Sequence, residues 1–405
     1  MAFWLEWVHG LVWPLKQKGF RYFFLAQSLS LLGRWVQTTA QRWLLYDLTG
    51  STTYLGLLGA LGSFPILLFS LPAGVLTDRL SKKKVLILSQ LIGAFMALTL
   101  ALLVFAERIQ PWHILALAFG LGIAVSLEFP VRNAFIYEIV GKQDLISALS
   151  LHSLAFNLSR FLGPALAGCL MGGPGVGFCF LFNALSYLPV AGVISLVENR
   201  EHPKRDSRNL WFSLKEGLRY ALRHPRIREV LWLLLMVSLG LFPYAILLPA
   251  LVREAYQGGG GEFTLLMSAN GLGALAGALF AGTWGRRIPP RKLIYLAAEG
   301  LALLILGLSF SRSLHLSVVI LLAAGFFMVN IIMNANAYVQ GLCEDGMRGR
   351  VLGLFSWCFL GLFPLGSLFW GFWAQKIGTP FTLGISSALA GLAIFISGLR
   401  ERRVD

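Results

Sequence analysis

The sequence predicts an all-α membrane protein made of twelve transmembrane helices in two six-helix bundles. Three observations carry that prediction. First, 57% of the 405 residues are hydrophobic and only 13% are charged, against roughly a quarter charged in soluble domains. So few charges cannot cover a water-facing surface, and lipid must serve as solvent for much of the chain. Second, apolar runs recur that are long enough to cross a hydrocarbon core about 30 Å thick, which takes about 20 helical residues. Third, the basic residues are split between alternate connections, as they are in membrane proteins whose cytoplasmic loops collect Lys and Arg.

Residues 1–20 read as an N-terminal interfacial segment. Trp4, Trp7, Val8 and Leu11 fall at helical spacing before Pro14, the pattern of an amphipathic stretch lying in the headgroup layer. No cleavable signal peptide is expected. The first bundle occupies 21–197, with spans near 21–46, 53–76, 85–105, 112–138, 145–171 and 176–197. Residues 198–228 form the longest polar stretch, a cytoplasmic linker. Leu214, Leu218, Ala221 and Leu222 recur in it at helical spacing and predict one amphipathic helix. The second bundle occupies 229–399, with spans near 229–252, 262–284, 292–311, 314–340, 350–375 and 380–399, before a tail at 400–405.

With the N-terminus inside, the inner segments hold 27 of the 34 Lys and Arg residues, Arg132 near the end of span 4 among them, and the outer segments hold four. The other three, Arg34, Arg42 and Arg160, fall within spans. This asymmetry places both termini in the cytoplasm. It also accounts for the net charge of +15 without a nucleic-acid partner.

The remaining chemistry is mostly exclusion. Cys169, Cys179, Cys343 and Cys358 show no metal or disulfide spacing. No phosphate loop of the Gly-x-x-x-x-Gly-Lys-Ser/Thr kind occurs, so nothing would hold ATP. "GLGALAG" (271–277) has no strand before it and reads as close helix packing. His152 and His315 stand isolated, and no metal, cofactor or enzymatic activity is expected. If the chain is a transporter, these exclusions make it a secondary carrier, driven by an ion gradient or by its substrate's own gradient.

"GVLTDRLSKKKVL" (74–86) links spans 2 and 3. It resembles the signature loop of the major facilitator superfamily, Gly-x-Leu-x-Asp-Arg-x-Gly-Arg-Lys. Gly74, Leu76, Asp78, Arg79, Lys82 and Lys83 match, and Ser81 replaces the second Gly. The segments 29–51, 127–168 and 348–371 extend the likeness nearly end to end. They resemble the enterobactin-exporter-like branch, the transmembrane secretion effectors. The resemblance implies the major facilitator fold and alternating access. It also implies a conformational latch in which Gly74, Asp78, Arg79, Lys82 and Lys83 meet the start of span 11 at Arg348 and Arg350. Arg348 and Arg350 sit at a helix N-terminus, where cations are unfavourable, so acidic partners are expected among Glu344, Asp345 and Asp78. "RFLGPALAG" (160–168) resembles incompletely an antiporter motif, with Gly163, Pro164 and Gly168 as a helix-kink motif. A packing kink without directional meaning is the alternative.

Two functions stay open at this level. One is a proton-coupled antiporter that exports hydrophobic or amphiphilic small molecules, siderophore-like or drug-like. The other is a lipid or lysophospholipid carrier between leaflets. Either would work as a monomer, with membrane lipid around it. Buried charge marks the candidate site, because an ionisable residue in a span costs about 3 kcal/mol on insertion scales. Arg34 lies mid-span, and Glu128 and Arg160 lie in spans joined by the short turn "GKQD" (141–144). Counting from the turn puts the last two within about 4.5 Å of each other in height. The expectation is a Glu128–Arg160 pair approached by Arg34, holding substrate and proton or fixing two spans. In span 10, Asn330 and Asn334 share a face and suit either substrate binding or helix-to-helix hydrogen bonding.

Overall fold

The computed structural model describes residues 12–79, 81–197, 210–344 and 346–401. The side chains of 69–79, 129–130, 210–214 and 400–401 are outside that description. Most of the expected interfacial segment therefore lies outside the described residues. So do the side chains of the latch residues Asp78 and Arg79, and the latch residue Gly74 falls in the same stretch.

Nine described helices are long and apolar enough to cross a membrane. They are α3 (Lys82–Phe105), α4 (Pro111–Gly172), α5 (Val176–Leu196), α7 (Pro225–Tyr256), α8 (Gly260–Gly282), α9 (Pro290–Phe310), α10 (Leu314–Leu342), α11 (Arg348–Ile377) and the apolar run Thr379–Leu399 of α12 (Thr379–Glu401). Three facts bring the count to the expected twelve. α4 is 62 residues long and breaks at Gly141, φ 76°, a left-handed conformation that favours glycine. α2 (Thr52–Arg79) is apolar over its described part, Thr52–Leu68. α1 (Lys18–Thr49) spans 32 residues but is made less apolar by Gln27, Ser30, Arg34, Gln37 and Gln41, which recur every three or four residues along one face.

The break in α4 is a reversal. Arg34 and Trp35 are adjacent on α1, yet Arg34 reaches Glu128 and Trp35 lies under Arg160. In an unbroken helix those two partners would stand about 48 Å apart at 1.5 Å per residue. The chain must therefore fold back at Gly141, giving two antiparallel arms, 111–140 and 142–172. Large apolar side chains stay exposed along α3 (Leu88, Phe95, Leu102), α9 (Leu303, Phe310) and α12 (Phe381, Leu392), which is the lipid-facing surface of a membrane bundle.

The chain divides into two compact units, Met1–Gln41 with Leu68–Ser207, and Arg42–Leu67 with Arg208–Asp405. In the first, Phe20, Phe23, Phe135, Ile136, Val190 and Ile194 form an apolar cluster at the end where α1 and α3 begin. The second unit takes in the end of α1 and the start of α2. Thr52 Oγ1 donates to Gly371 O at 2.9 Å, and the Thr52 N–H donates to Gln375 Oε1 at 2.9 Å. Arg253 pairs with Asp47 at 2.7 Å. The amphipathic helix of the linker is α6 (Leu210–Arg223). It buries Ala221 and leaves Leu218 and Leu222 exposed.

Within the second unit, α8 and α10 pack backbone to backbone. A Cβ at Gly277 would stand 2.5 Å from Phe326 O, and one at Gly273 or Gly325 would collide with the facing carbonyl. "GLGALAG" is thus a packing surface, as read. One repeat escapes a first reading: "LGLFP" occurs at 239–243 in α7 and again at 360–364 in α11. Each copy ends a widened turn, Val237–Leu241 and Trp357–Gly361. In the first copy the Phe242 N–H reaches five residues back to Val237 O at 3.0 Å. Proline lacks the N–H that would bond the carbonyl four residues earlier. Pro243 so frees Leu239 O, which instead accepts from Trp370 Nε1 at 2.8 Å. The two turns also bond each other, with Ser238 Oγ donating to Phe359 O at 2.8 Å and the Phe242 and Phe359 rings 4.9 Å apart, edge to face.

Candidate functional site

The polar face of α1 builds the site in the first unit. Glu128, in the first arm of α4, has only 4% of its side chain exposed. Its Oε2 accepts from Arg34 Nη1 at 3.1 Å, and its Oε1 accepts from Arg132 Nη1 at 2.9 Å. Gln27 Nε2 adds a bond of 3.4 Å to Oε1. A carboxylate so deeply buried is tolerable only when paired, and here two guanidinium groups hold it. The cluster leaves one positive charge in excess while Glu128 is ionised. His152, from the second arm, and Tyr187, from α5, are both close enough to interact electrostatically with Arg34 and Glu128.

This differs from the sequence expectation in three ways. The ion pairs that Glu128 makes among the described residues are to Arg34 and Arg132, not Arg160. Arg160 instead sits over the Trp35 ring, 5.7 Å from its centroid. The cause is azimuth: neighbouring residues on a helix point about 100° apart, so Arg34 faces the first arm and Trp35 the second. Arg132 was counted with the inner-loop charges, yet it is 8% exposed. Its i,i+4 spacing from Glu128 was the available signal. His152, read as isolated, borders the cluster, because the reversal at Gly141 returns the second arm beside the first.

The helix-kink motif is a contact. Within α4 the non-helical dihedrals are at Gly141, so Pro164 continues the helix. A Cβ at Gly163 would collide with Trp35, which makes this glycine the point where α1 and the second arm meet. Gly168 lies in the turn after it, half-buried.

Lys82, Lys83 and Arg350 of the expected latch find partners within their own units. Lys82 pairs with Glu138. Lys83 Nζ donates to Ser195 O at 2.6 Å and to Val197 O at 3.0 Å, a cation at the C-terminal end of α5. Arg350 Nη1 pairs with Glu216 Oε2 at 2.7 Å. That acid belongs to α6 and lies outside the three nominated from sequence. Arg348 begins α11 and is exposed.

In the second unit, Asn330 is fully buried. Its Nδ2 donates to Phe326 O at 2.9 Å and across to Gly277 O at 3.3 Å. Asn334 Nδ2 donates to Asn330 O at 2.8 Å. The amide of Asn330 thus ties α10 to α8. A second buried group, Asn270, donates to Tyr244 Oη at 2.7 Å and to Leu321 O at 3.1 Å.

Twelve helices in two six-helix bundles define the major facilitator class of membrane transporters. A bacterial homologue of the human lysosomal transporter Spinster, solved inward-facing and unoccupied, matches 95% of this chain and 97% of its own with a TM-score of 0.72 at 14% identity. Within that class the chain belongs to the transmembrane secretion effector family, which its residues 10–403 match. Three relatives are similar over nearly their whole lengths. The staphyloferrin A transporter of Staphylococcus aureus is 26% identical over 90% of this chain and 92% of its own. The multidrug efflux pump Tap of Mycolicibacterium fortuitum is 25% identical over 91% and 93%. The enterobactin exporter EntS of Salmonella typhi is 25% identical over 97% and 94%. The chain is an integral membrane protein of a family of carriers, not of enzymes.

Proposed function

We propose that this protein is a secondary active exporter of hydrophobic or amphiphilic small molecules, of siderophore or drug type, working by alternating access as a proton antiporter. The observation that carries the reading is Glu128, buried between Arg34 and Arg132. Ionised, the carboxylate restrains both guanidinium groups. Protonated, it releases them, and the local surplus grows from one positive charge to two. A group that changes partners on protonation can exchange a proton for an anionic or carbonyl-rich substrate, a chemistry that siderophores share with many drugs. The similarity to siderophore and multidrug carriers supports the same reading.

In this reading the protein works as a monomer in the bacterial inner membrane, and both termini are cytoplasmic because the inner segments hold the basic residues. Residues 198–228 join the two bundles, and Gly74, Asp78, Arg79, Lys82 and Lys83 with Arg348 and Arg350 are the latch. Asn330 serves packing, while Asn334 and Arg160 remain open to substrate.

The test is uptake into inverted vesicles of staphyloferrin A, enterobactin, ethidium and lysophosphatidylcholine, with and without a pH gradient. Uptake of a siderophore or of ethidium that needs the gradient and is lost in Glu128→Gln is the expected result. Proton-dependent uptake that survives Glu128→Gln with an unchanged pH profile removes Glu128 from the mechanism. Transport of lysophosphatidylcholine alone would make the protein a lipid carrier.

A further inference from the structure

The Tyr187 hydroxyl is buried and makes no hydrogen bond of normal geometry to protein, although Asn183 is near. Ser30 Oγ and Gln90 Oε1 are likewise buried without a protein partner. All three residues are at most 2% exposed. Buried polar atoms in native proteins are almost always bonded to protein or to internal water, so three orphans close together point to water.

They are close together. Ser30 lies on the face of α1 between Gln27 and Arg34, the two residues that hold Glu128 from that helix. Tyr187 packs its ring on Gly93 of α3, where a Cβ would stand 2.8 Å from the ring, and interacts with Arg34 and Glu128. Gln90 lies one turn from Gly93, about 4.5 Å along α3. Ser30 therefore lies level with the α1 residues that hold Glu128, and Gln90 lies one turn from the α3 contact of the Tyr187 ring.

The surroundings are not symmetric along the bundle. Toward the start of α1 the interior is closed by Phe20, Phe23, Phe135, Ile136, Val190 and Ile194. Toward its other end polar groups continue: Asn183 Nδ2 donates to Gln37 Oε1 at 2.6 Å, and Gln41 Nε2 donates to Ile114 O at 3.2 Å. Ser30 and Gln41 are 11 residues apart, or about 16 Å of helix. The charged and titratable groups that face Glu128 are Arg34 of α1, Arg132 and His152 of α4, and Tyr187 of α5. Gln90, the buried polar side chain of α3 one turn from Gly93, is neutral.

We propose that the interior of the first unit holds a file of water reaching Glu128 from the Gln41 end. Tyr187, Ser30 and Gln90 are its positioning residues, and protons enter along it and not through the apolar end. The proposal rests on the reading of Glu128 as the proton site. It gives the exporter a proton path inside one unit, with access from the side opposite the start of α1.

Two measurements on the full-length protein in liposomes test it. Hydroxyl-radical footprinting labels buried side chains that touch bound water. Tyr244 is the internal control, because it is as buried as Tyr187 but its hydroxyl is bonded to Asn270. Tyr187 is expected to label several-fold faster than Tyr244, and equal labelling overturns the water file. The second is the infrared carboxyl band of Glu128, assigned by its loss in Glu128→Gln and followed after a pH drop. Tyr187→Phe removes only a hydroxyl and keeps the ring on Gly93, so the fold should stand. It is expected to slow the band's appearance about tenfold, less than a positioned acid–base group contributes because the other water remains. An unchanged rate removes Tyr187 from the path. A Glu128 band with Tyr187 unlabelled overturns the path alone. Absence of any band on acidification overturns the proton-site reading, and the path with it.

Discussion

Trp370→Phe probes the turn that Pro243 opens in α7. The indole N–H is the donor to Leu239 O, at 2.8 Å, and proline cannot supply a replacement. Removing it leaves a part-buried carbonyl unpaired, and a fully buried one costs about 1–3 kcal/mol in soluble proteins. Membrane hydrogen bonds measured by double-mutant cycles are weaker, at about 0.6 kcal/mol with a maximum near 1.7. We therefore expect a loss of about 1 kcal/mol, or roughly 2–4 °C in Tm for a unit of about 200 residues. The smaller ring also loses packing, so the single variant alone cannot isolate the bond. Pro243→Ala does, by supplying a backbone N–H one turn beyond Leu239. In that background Trp370→Phe should cost only the packing, and the difference between the two costs is the bond. The assay is thermal unfolding in detergent with a thiol-reactive dye. Cys343 is a buried free thiol in the same unit and becomes reactive as the unit opens. If Trp370→Phe lowers Tm equally in both backgrounds, Leu239 O does not depend on the indole, and the account of the turn is wrong.

Asn330→Ala should lower stability by about 1 kcal/mol, because it breaks the bond from α10 to Gly277, and should leave the half-saturation constant for substrate unchanged. A weakened affinity at unchanged Tm would move Asn330 into the binding site. For Arg350 and Glu216, a double-mutant cycle with Arg350→Met and Glu216→Gln should give a coupling below about 1 kcal/mol. The Glu216 side chain is 40% exposed, and exposed pairs are screened by water. A coupling of several kcal/mol would show instead that the pair holds α6 to α11 as a structural clamp.

The candidate site was partly legible in the sequence. Arg34 and Glu128 stood out because charge inside a span is costly wherever the span packs. Arg132 did not, because it lies near the end of its span and passed for loop charge. The repeated "LGLFP" was plain in the letters, but its meaning lies in Trp370, 131 residues from Leu239. Lys82 and Lys83 are read from sequence as inner-loop cations and latch residues, but their bonds to Glu138 and to the end of α5 depend on how distant helices pack.

The sequence by itself determined what is local or summed along the chain: the lipid solvent, the twelve spans, the charge inside span 1, the reversal near Gly141 and the family. Hydrophobicity, helical period and glycine's backbone freedom act over a few residues, so they can be read without knowing the fold. Only the tertiary structure decided partners. Height in the membrane follows from counting residues from a turn, and it put Arg160 level with Glu128. Azimuth does not follow, because it depends on which helices flank α1, and one residue's step from Arg34 to Trp35 sent the two arginines to different neighbours.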